Sequence, residues 1–174
     1  ERGLVTNNYH SAYDRYKLFD MLELYYEQKE DFYNLHRILM KNFETCPSLD
    51  LYKRLEKFSQ KISNWEIIEP RLNSILETKE NTTFLIDVLL YREEYERAIK
   101  IVKMRECMEY TKVKVADAVK NMNPEVSVSI YQDIINEQLS NTGRKYYQIA
   151  RGYLKKLKNI LLEIMQEPEQ WEKY

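Results

Sequence analysis

Apolar residues recur at spacings of three and four along almost the whole chain, which is the pattern of amphipathic helices. Leu18, Met21 and Tyr25 follow this spacing within a helix predicted from about Ser11 to Glu27. The same pattern predicts eight further helices and a last turn around Trp171, covering residues 32–43, 48–58, 65–76, 84–91, 95–102, 108–119, 124–139 and 144–165. We therefore predict an all-α fold.

Short polar segments mark the ends of several predicted helices. Ser48 is expected to cap the third helix, and Ser63 with Glu66 has the spacing of a capping box before the fourth. Asn123 followed by Pro124 is a strong start for the eighth helix, because Asn caps and Pro suits the first helical position.

Three positions in these helices need a closer look. Pro70 either kinks the fourth helix or marks its true first turn. Residues 126–130 alternate as a strand would, but they follow Pro124 inside a predicted helix, so the helix is favoured. Gly143 is expected to end the eighth helix, since Gly is common just past a helix C-terminus.

An aromatic residue opens several helices directly after a short charged or polar turn. Phe32, Trp65 and Tyr95 are spaced by 33 and 30 residues, which is the period of a helix-turn-helix repeat. We therefore predict a single repeat domain over residues 1–174, built as an antiparallel stack of about 8–10 helices. A closed helical bundle is the alternative architecture.

Composition narrows the class of protein. The 174 residues include only 3 Gly, 4 Pro and 2 Cys, so a disulfide framework and a turn-rich β-sandwich are excluded. The net charge of −1 gives no overall attraction to nucleic acid or to an acidic membrane. No run approaches the roughly 18 apolar residues that span a bilayer, and we expect a cytoplasmic protein without membrane association.

Candidate catalytic or metal-binding residues are few. The only histidines are His10 and His36, and both are expected to be solvated helix residues near acidic neighbours. Cys46 and Cys107 are expected to fill small buried or half-buried spaces. Because zinc needs about four converging ligands, we predict no metal, no cofactor and no catalytic site.

One surface feature stands out on the predicted helix from Arg144 to Met165. Residues 143–162 contain six basic side chains and no acidic one. Spacings of four and three place five polar residues on one face: Arg144, Gln148, Arg151, Lys155 and Lys158. This face could contact phosphates or an acidic protein, with Tyr146 and Tyr153 as candidates for base stacking, although an ordinary solvated face is favoured.

Two stretches resemble known families. Residues 91–99 resemble a tetratricopeptide-like helix-turn-helix, which is a common pattern. Residues 112–174 resemble the C-terminal helical region of prokaryotic SWIM zinc-finger proteins. The matching segments, in order, are Val115 to Val119, Asn123 to Glu125, Ile130 with Tyr131, Gly143 to Tyr147, Ala150 to Leu157 and Glu169 to Tyr174.

The chain departs from that family's pattern at three points. A second Gly is missing after Gly143, and Ser127 stands where Ala is usual. The family's Cys-x-Cys and Cys-x-His zinc ligands have no counterpart here. The resemblance therefore implies that zinc is bound only in an upstream part of a larger protein, which also fits a chain that begins with Glu1 rather than Met.

These observations favour a non-catalytic helical-repeat scaffold that binds a partner protein, whose identity the sequence does not indicate. The alternative is an auxiliary nucleic-acid-binding module that uses Arg144, Arg151, Lys155 and Lys158. An unrecognised enzyme is a third hypothesis, and it would require a pocket that holds a carboxylate or His of perturbed pKa.

Overall fold

The computed structural model describes residues 8–78 and 82–173, and this part of the chain is helical without any strand. The all-α prediction is confirmed, and residues 126–130 are helical. The elements are α1 (Asn8–Gln28), α2 (Phe32–Thr45), α3 (Leu49–Lys61), α4 (Trp65–Leu76), α5 (Thr82–Tyr91), α6 (Tyr95–Met104), α7 (Glu109–Val119), α8 (Pro124–Leu139), α9 (Arg144–Asn159), a π-turn (Ile160–Ile164) and α10 (Pro168–Trp171).

The chain divides into two compact units, unit 1 over Glu1–Phe84 and unit 2 over Leu85–Tyr174. In unit 1, α1 packs on α2, α2 on α3, and α3 on α4. Its fully buried side chains include Phe43, Tyr52, Leu55, Leu72 and Leu76. A single repeat domain over residues 1–174 stays a prediction.

Unit 2 also packs helices that are neighbours in sequence. Here α6 packs on α7, α7 on α8, and α8 on α9, while the π-turn contacts α8, α9 and α10. Its fully buried side chains include Leu85, Tyr131, Ile134, Leu157 and Leu161. In both units, helices that are neighbours in sequence thus bury apolar side chains against one another.

The same sharp turn occurs three times between helices. Glu30, Ser63 and Glu93 have φ angles of 53°, 54° and 59°, the left-handed conformation that often ends a helix. The residue after each one donates its backbone N–H to a carbonyl five residues earlier: Asp31 to Tyr26, Asn64 to Ser59 and Glu94 to Leu89. These turns recur at the spacings of 33 and 30 that the aromatic residues predict.

Two of the opening aromatic residues pack on α3. The ring of Phe32 lies 6.0 Å from that of Phe58, and Trp65 meets Tyr52 edge-on at 5.7 Å between ring centroids. Edge-on and tilted ring pairs of this kind add to the stabilisation that burial alone provides. The aromatic residues therefore cover joints between α3 and its two neighbours.

Two predicted helix caps are confirmed and one is wrong. The Ser48 hydroxyl accepts the N–H of Leu51 at 3.3 Å, and the Asn123 side chain accepts the N–H of Val126 at 3.4 Å. The capping box at Ser63 does not form, because Ser63 is the left-handed residue of the turn and Asn64 occupies the cap position without a side-chain hydrogen bond.

The structure also decides the other expectations about helix ends. Pro70 lies inside α4, so the alternative that it marks the first turn is wrong. The expectation that Gly143 ends the eighth helix is also wrong: α8 ends at Leu139, and Gly143, with φ 129°, directly precedes α9. The positive φ explains why Gly is present there.

The predicted helix from Arg144 to Met165 has nearly the expected extent but changes its winding. It is α-helical to Asn159 and then widens into the π-turn. The N–H of Met165 donates to the carbonyl of Ile160 at 2.9 Å, a five-residue spacing.

Replacing Glu93 by Gly should raise the free energy of unfolding of unit 2 by about 0.5–1 kcal/mol, because Gly adopts the left-handed turn without steric cost. The control is Lys100→Gly at an exposed position inside α6. This change should lower the free energy of unfolding by about 1 kcal/mol. Chemical denaturation followed by circular dichroism measures both. Equal destabilisation by the two changes would contradict the role of the turn.

Candidate functional site

Three polar contacts hold α9 against α7 and α8. The Tyr153 hydroxyl donates to Glu109 on α7 at 2.6 Å. Lys156 donates to Asp117 on α7 at 2.7 Å and to the Tyr131 hydroxyl of α8 at 3.3 Å, and this hydroxyl in turn donates to Asp117 at 2.8 Å. Because these contacts require particular side chains to face inward, they fix the rotation of α9 about its own axis.

The local environment shifts the pKa of three of these groups. Burial favours the neutral form of Asp117, but hydrogen bonds from Lys156 and Tyr131 outweigh it and lower the pKa of Asp117. Burial, followed by the hydrogen bond to Asp117, raises the pKa of Tyr131. Burial and the bond to Glu109 raise the pKa of Tyr153 to about 12. The tyrosines therefore act as stable hydroxyl donors at neutral pH.

The basic residues predicted from the sequence all lie on the opposite, solvent-facing side of α9. Ala150 and Leu157 are buried on its inward side. We define the α9 stripe as the exposed residues Arg144, Gln148, Arg151, Lys155 and Lys158. With a rise of about 1.5 Å per residue, the stripe extends for roughly 20 Å along the helix.

Three stripe cations have no acidic partner within residues 8–78 and 82–173: Arg144, Arg151 and Lys155. Lys158 lies over the ring of Trp171, with Nζ 5.3 Å from the ring centroid. Lys156, off the stripe, is the α9 cation that pairs with Asp117. The positive charge of the stripe is thus largely uncompensated in the structure described.

The start of α9 is unusual for a helix. Arg144 and Lys145 occupy its first turn, which holds no acidic residue, and Gly143 supplies no capping side chain. Cations at a helix N-terminus oppose the helix dipole and cost roughly 0.3–1 kcal/mol each. These charges therefore do not serve the stability of α9.

The aromatic residues beside the stripe differ from those predicted. Tyr153 faces inward and bonds to Glu109, so its ring is not free for base stacking, whereas Tyr146 is 37% exposed. Tyr147, which was not among the residues predicted for stacking, is 57% exposed. The sequence signal for this position was the spacing of Tyr147, three residues from Arg144 and four from Arg151, which places it beside the stripe.

His36 is not the solvated surface residue that the sequence suggests. Its ring stacks on Phe58 with 6.2 Å between centroids, and burial, followed by the charge of Arg71, lowers its pKa. It borders an open cavity of about 480 Å³ together with Arg37 and Lys41. For His10 the structure describes only the helical backbone.

Both cysteines are half-buried, as expected. Burial raises the pKa of the Cys107 thiol, although the charges of Lys112 and Arg105 act in the opposite direction. A thiol of raised pKa is a poor nucleophile. Within residues 8–78 and 82–173, no three His, Cys, Asp or Glu side chains form a group that could hold a metal ion.

A groove in unit 1 is a further concave feature. It has a volume of about 450 Å³ and is lined by α1, α2 and α3. Glu27 and Glu30 line it together with Lys57 and Lys61. Because acids and bases are both present, the groove has no excess charge comparable to that of the α9 stripe.

Comparison with known proteins finds no protein-family model, no curated protein and no solved structure that matches the chain. Among the helices that the structure describes, none has the length and apolar character needed to cross a membrane.

The stability of unit 2 should fall as the pH rises from about 10 to about 12. The raised pKa of Tyr153 means that folding opposes its ionisation, so its contribution is complete below the ordinary pKa of 10 and lost through the folded value of about 12. Tyr153→Phe should cost about 1 kcal/mol near neutral pH and make the alkaline decline shallower.

The matched control is Tyr147→Phe at an exposed position. It should change neither the stability near neutral pH nor the steepness of the alkaline decline. Chemical denaturation of each variant at several pH values, followed by circular dichroism, gives the comparison. An unchanged alkaline decline in Tyr153→Phe would be inconsistent with a coupled tyrosine hydroxyl.

Proposed function

We propose that the chain is a non-catalytic helical scaffold that binds a partner protein, and that an acidic segment of this partner docks on the α9 stripe. The observation that carries the proposal is the row of exposed cations without acidic partners. Such a row attracts a complementary acidic surface and fixes its register along the helix. The cytoplasmic location predicted from the sequence is part of the same proposal.

The packing within each unit supports this proposal. Helices that are neighbours in sequence pack on one another, and the left-handed turn recurs at Glu30, Ser63 and Glu93. These features support a tetratricopeptide-like stack of helix pairs as the proposed architecture. In such arrays each repeat is stabilised by its neighbours, and extended surfaces stay available for partners.

The resemblance of residues 112–174 to the C-terminal region of SWIM zinc-finger proteins suggests the larger protein to which the scaffold belongs. Ser127, the departure from the usual Ala, is fully buried, and its hydroxyl donates to the carbonyl of Ala116 at 2.9 Å. The replacement therefore fits the close contact of α7 and α8. Paired Cys and His codons upstream of Glu1 would support this assignment, and a complete upstream reading frame without them would contradict it.

A nucleic-acid-binding module is the second candidate function. The exposed ring of Tyr147 beside the stripe favours it, since bases stack on aromatic rings while cations contact the phosphates. Neutralising a few phosphates would give binding that weakens steeply as salt rises.

Reversing two stripe charges should remove partner binding. With a photo-crosslinking residue at Gln148, the wild-type chain should capture a defined protein in its own cells. Arg151→Glu with Lys155→Glu should reduce that capture at least about tenfold, because attraction becomes repulsion. Quantitative mass spectrometry of the crosslinked products measures the change.

The matched control is Lys100→Glu with Lys103→Glu, which changes two exposed cations on α6 by the same amount. Capture that survives nuclease treatment and persists in this control supports the protein scaffold. Loss of capture after nuclease treatment would favour the nucleic-acid module instead. Equal capture by both double variants would contradict any role for the stripe.

A further inference from the structure

The open cavity beside His36 is lined by side chains of α2 and α4, both in unit 1, and we call it the α2–α4 cavity. Its volume of about 480 Å³ falls within the range of small-molecule sites. Tyr33, Arg37 and Lys41 follow one another on α2 at a spacing of four, so they share one face of that helix. Arg71 of α4 completes a cluster of three cations at the cavity.

Glu44 holds two of these cations together. Its carboxylate accepts a hydrogen bond from Arg71 of α4 and lies 3.7 Å from the ammonium group of Lys41 on α2. The side chains of Lys41 and Arg71 nevertheless stay largely exposed, so each can still donate to a ligand in the cavity. Because Glu44 already orders cations from two helices, less conformational freedom is lost when a ligand binds them.

The charge of the lining distinguishes between classes of anion. The cations Arg37, Lys41 and Arg71 and the carboxylate of Glu44 leave a net charge of +2 while His36 is neutral. A phosphate monoester carries a charge of about −1.5 to −2 near pH 7, whereas a carboxylate carries a single negative charge. Arginine also matches phosphate oxygens with paired N–H donors. The cavity therefore fits a phosphate better than a carboxylate.

The rest of the lining is aromatic and apolar. Tyr33 is 78% exposed, Ile38 is half-buried and Met40 is 4% exposed. An inorganic anion held by the cations would leave these side chains without contact. Small-molecule sites combine apolar walls with a few charged or polar groups that fix the orientation of the ligand. The lining thus favours a ligand with an organic part attached to its phosphate.

We propose that the α2–α4 cavity binds a small organic phosphate monoester. Arg37, Lys41 and Arg71 contact the phosphate, and Tyr33 and Ile38 contact the organic part. The inference goes beyond the proposed function and does not rest on it, because the α2–α4 cavity and the α9 stripe belong to different units.

His36 provides a direct readout of binding. Its ring lines the cavity and stacks on Phe58 of α3, and burial, followed by the charge of Arg71, lowers its pKa. A bound dianion opposes the charge of Arg71 and should therefore raise the pKa of His36. The only other histidine is His10, so His10→Gln leaves a single imidazole to observe.

NMR of this imidazole in the full chain carrying His10→Gln, titrated with phenyl phosphate at constant ionic strength, tests the proposal. The pKa of His36 should rise by at least about 0.5 in a saturable manner, with a dissociation constant of roughly 0.1–1 mM. Benzoate has the same ring but one negative charge, and it should bind at least about fivefold more weakly. Inorganic phosphate lacks the ring and should bind at least about threefold more weakly.

Three results of these titrations would count against the proposal. The absence of any saturable change up to about 10 mM phenyl phosphate would overturn it. Equal affinity for benzoate and phenyl phosphate would overturn the preference for phosphate. Equal affinity for inorganic phosphate and phenyl phosphate would overturn the role of the organic part.

Substitutions of single cations test where the ligand binds. Arg37→Gln and Lys41→Gln should each weaken the binding of phenyl phosphate at least about fivefold, because each removes a donor and a positive charge. The matched control is Lys57→Gln on α3, an equal change of charge at an exposed position that lines the other groove of unit 1. It should keep the wild-type affinity within about twofold.

Equal weakening by all three substitutions would overturn the site, because binding would then follow the overall charge of the chain. Circular dichroism confirms that each variant is folded.

Discussion

Burial of apolar faces between helices that are neighbours in sequence is the constraint on which this structure depends. Tyr52 and Leu55 of α3 are completely buried in a unit where α3 packs on α2 and α4. Tyr131 and Ile134 of α8 are equally buried where α8 packs on α7 and α9. Because most of these helices are short, their stability depends on contacts with their neighbours.

A small number of polar contacts adds what apolar burial alone does not specify, namely which side of each helix faces outward. Glu23 ties α1 to α2 and α3, whereas Tyr153 and Lys156 tie α9 to α7. An unpaired buried polar group costs far more than a paired one gains. The same contacts that position α1 and α9 therefore also determine which side chains of these two helices face solvent.

Much of this fold could be predicted because its signals are local. Helical periodicity, the caps at Ser48 and Asn123, and the spacing of the aromatic residues all depend on residues a few positions apart. The left-handed conformation of Ser63 was missed because the spacing from Ser63 to Glu66 also matches a capping box. The sequence pattern alone does not distinguish these two local structures. We identified no sequence signal for the π-turn that follows Asn159.

The candidate surface was harder to predict than the helices that carry it. The cations of the α9 stripe could be placed from their spacing alone, because charged side chains almost always face solvent. Tyrosine suits both environments, so the residue type alone did not reveal that Tyr153 faces inward and Tyr147 outward. The burial of Glu23 could likewise not be predicted from the sequence, because it depends on contacts with Asn42 and Arg54, which lie 19 and 31 positions away.

Hydrogen exchange in the full chain carrying Leu157→Ala tests neighbour-by-neighbour stabilisation most directly. Leu157 is fully buried on the inward side of α9, and its truncation should cost about 2–5 kcal/mol. The account predicts that amide protection falls mainly in α8, α9 and the π-turn, while α6 keeps most of its protection. An equal loss of protection from α6 through α9 would contradict it, because unit 2 would then unfold as one cooperative block.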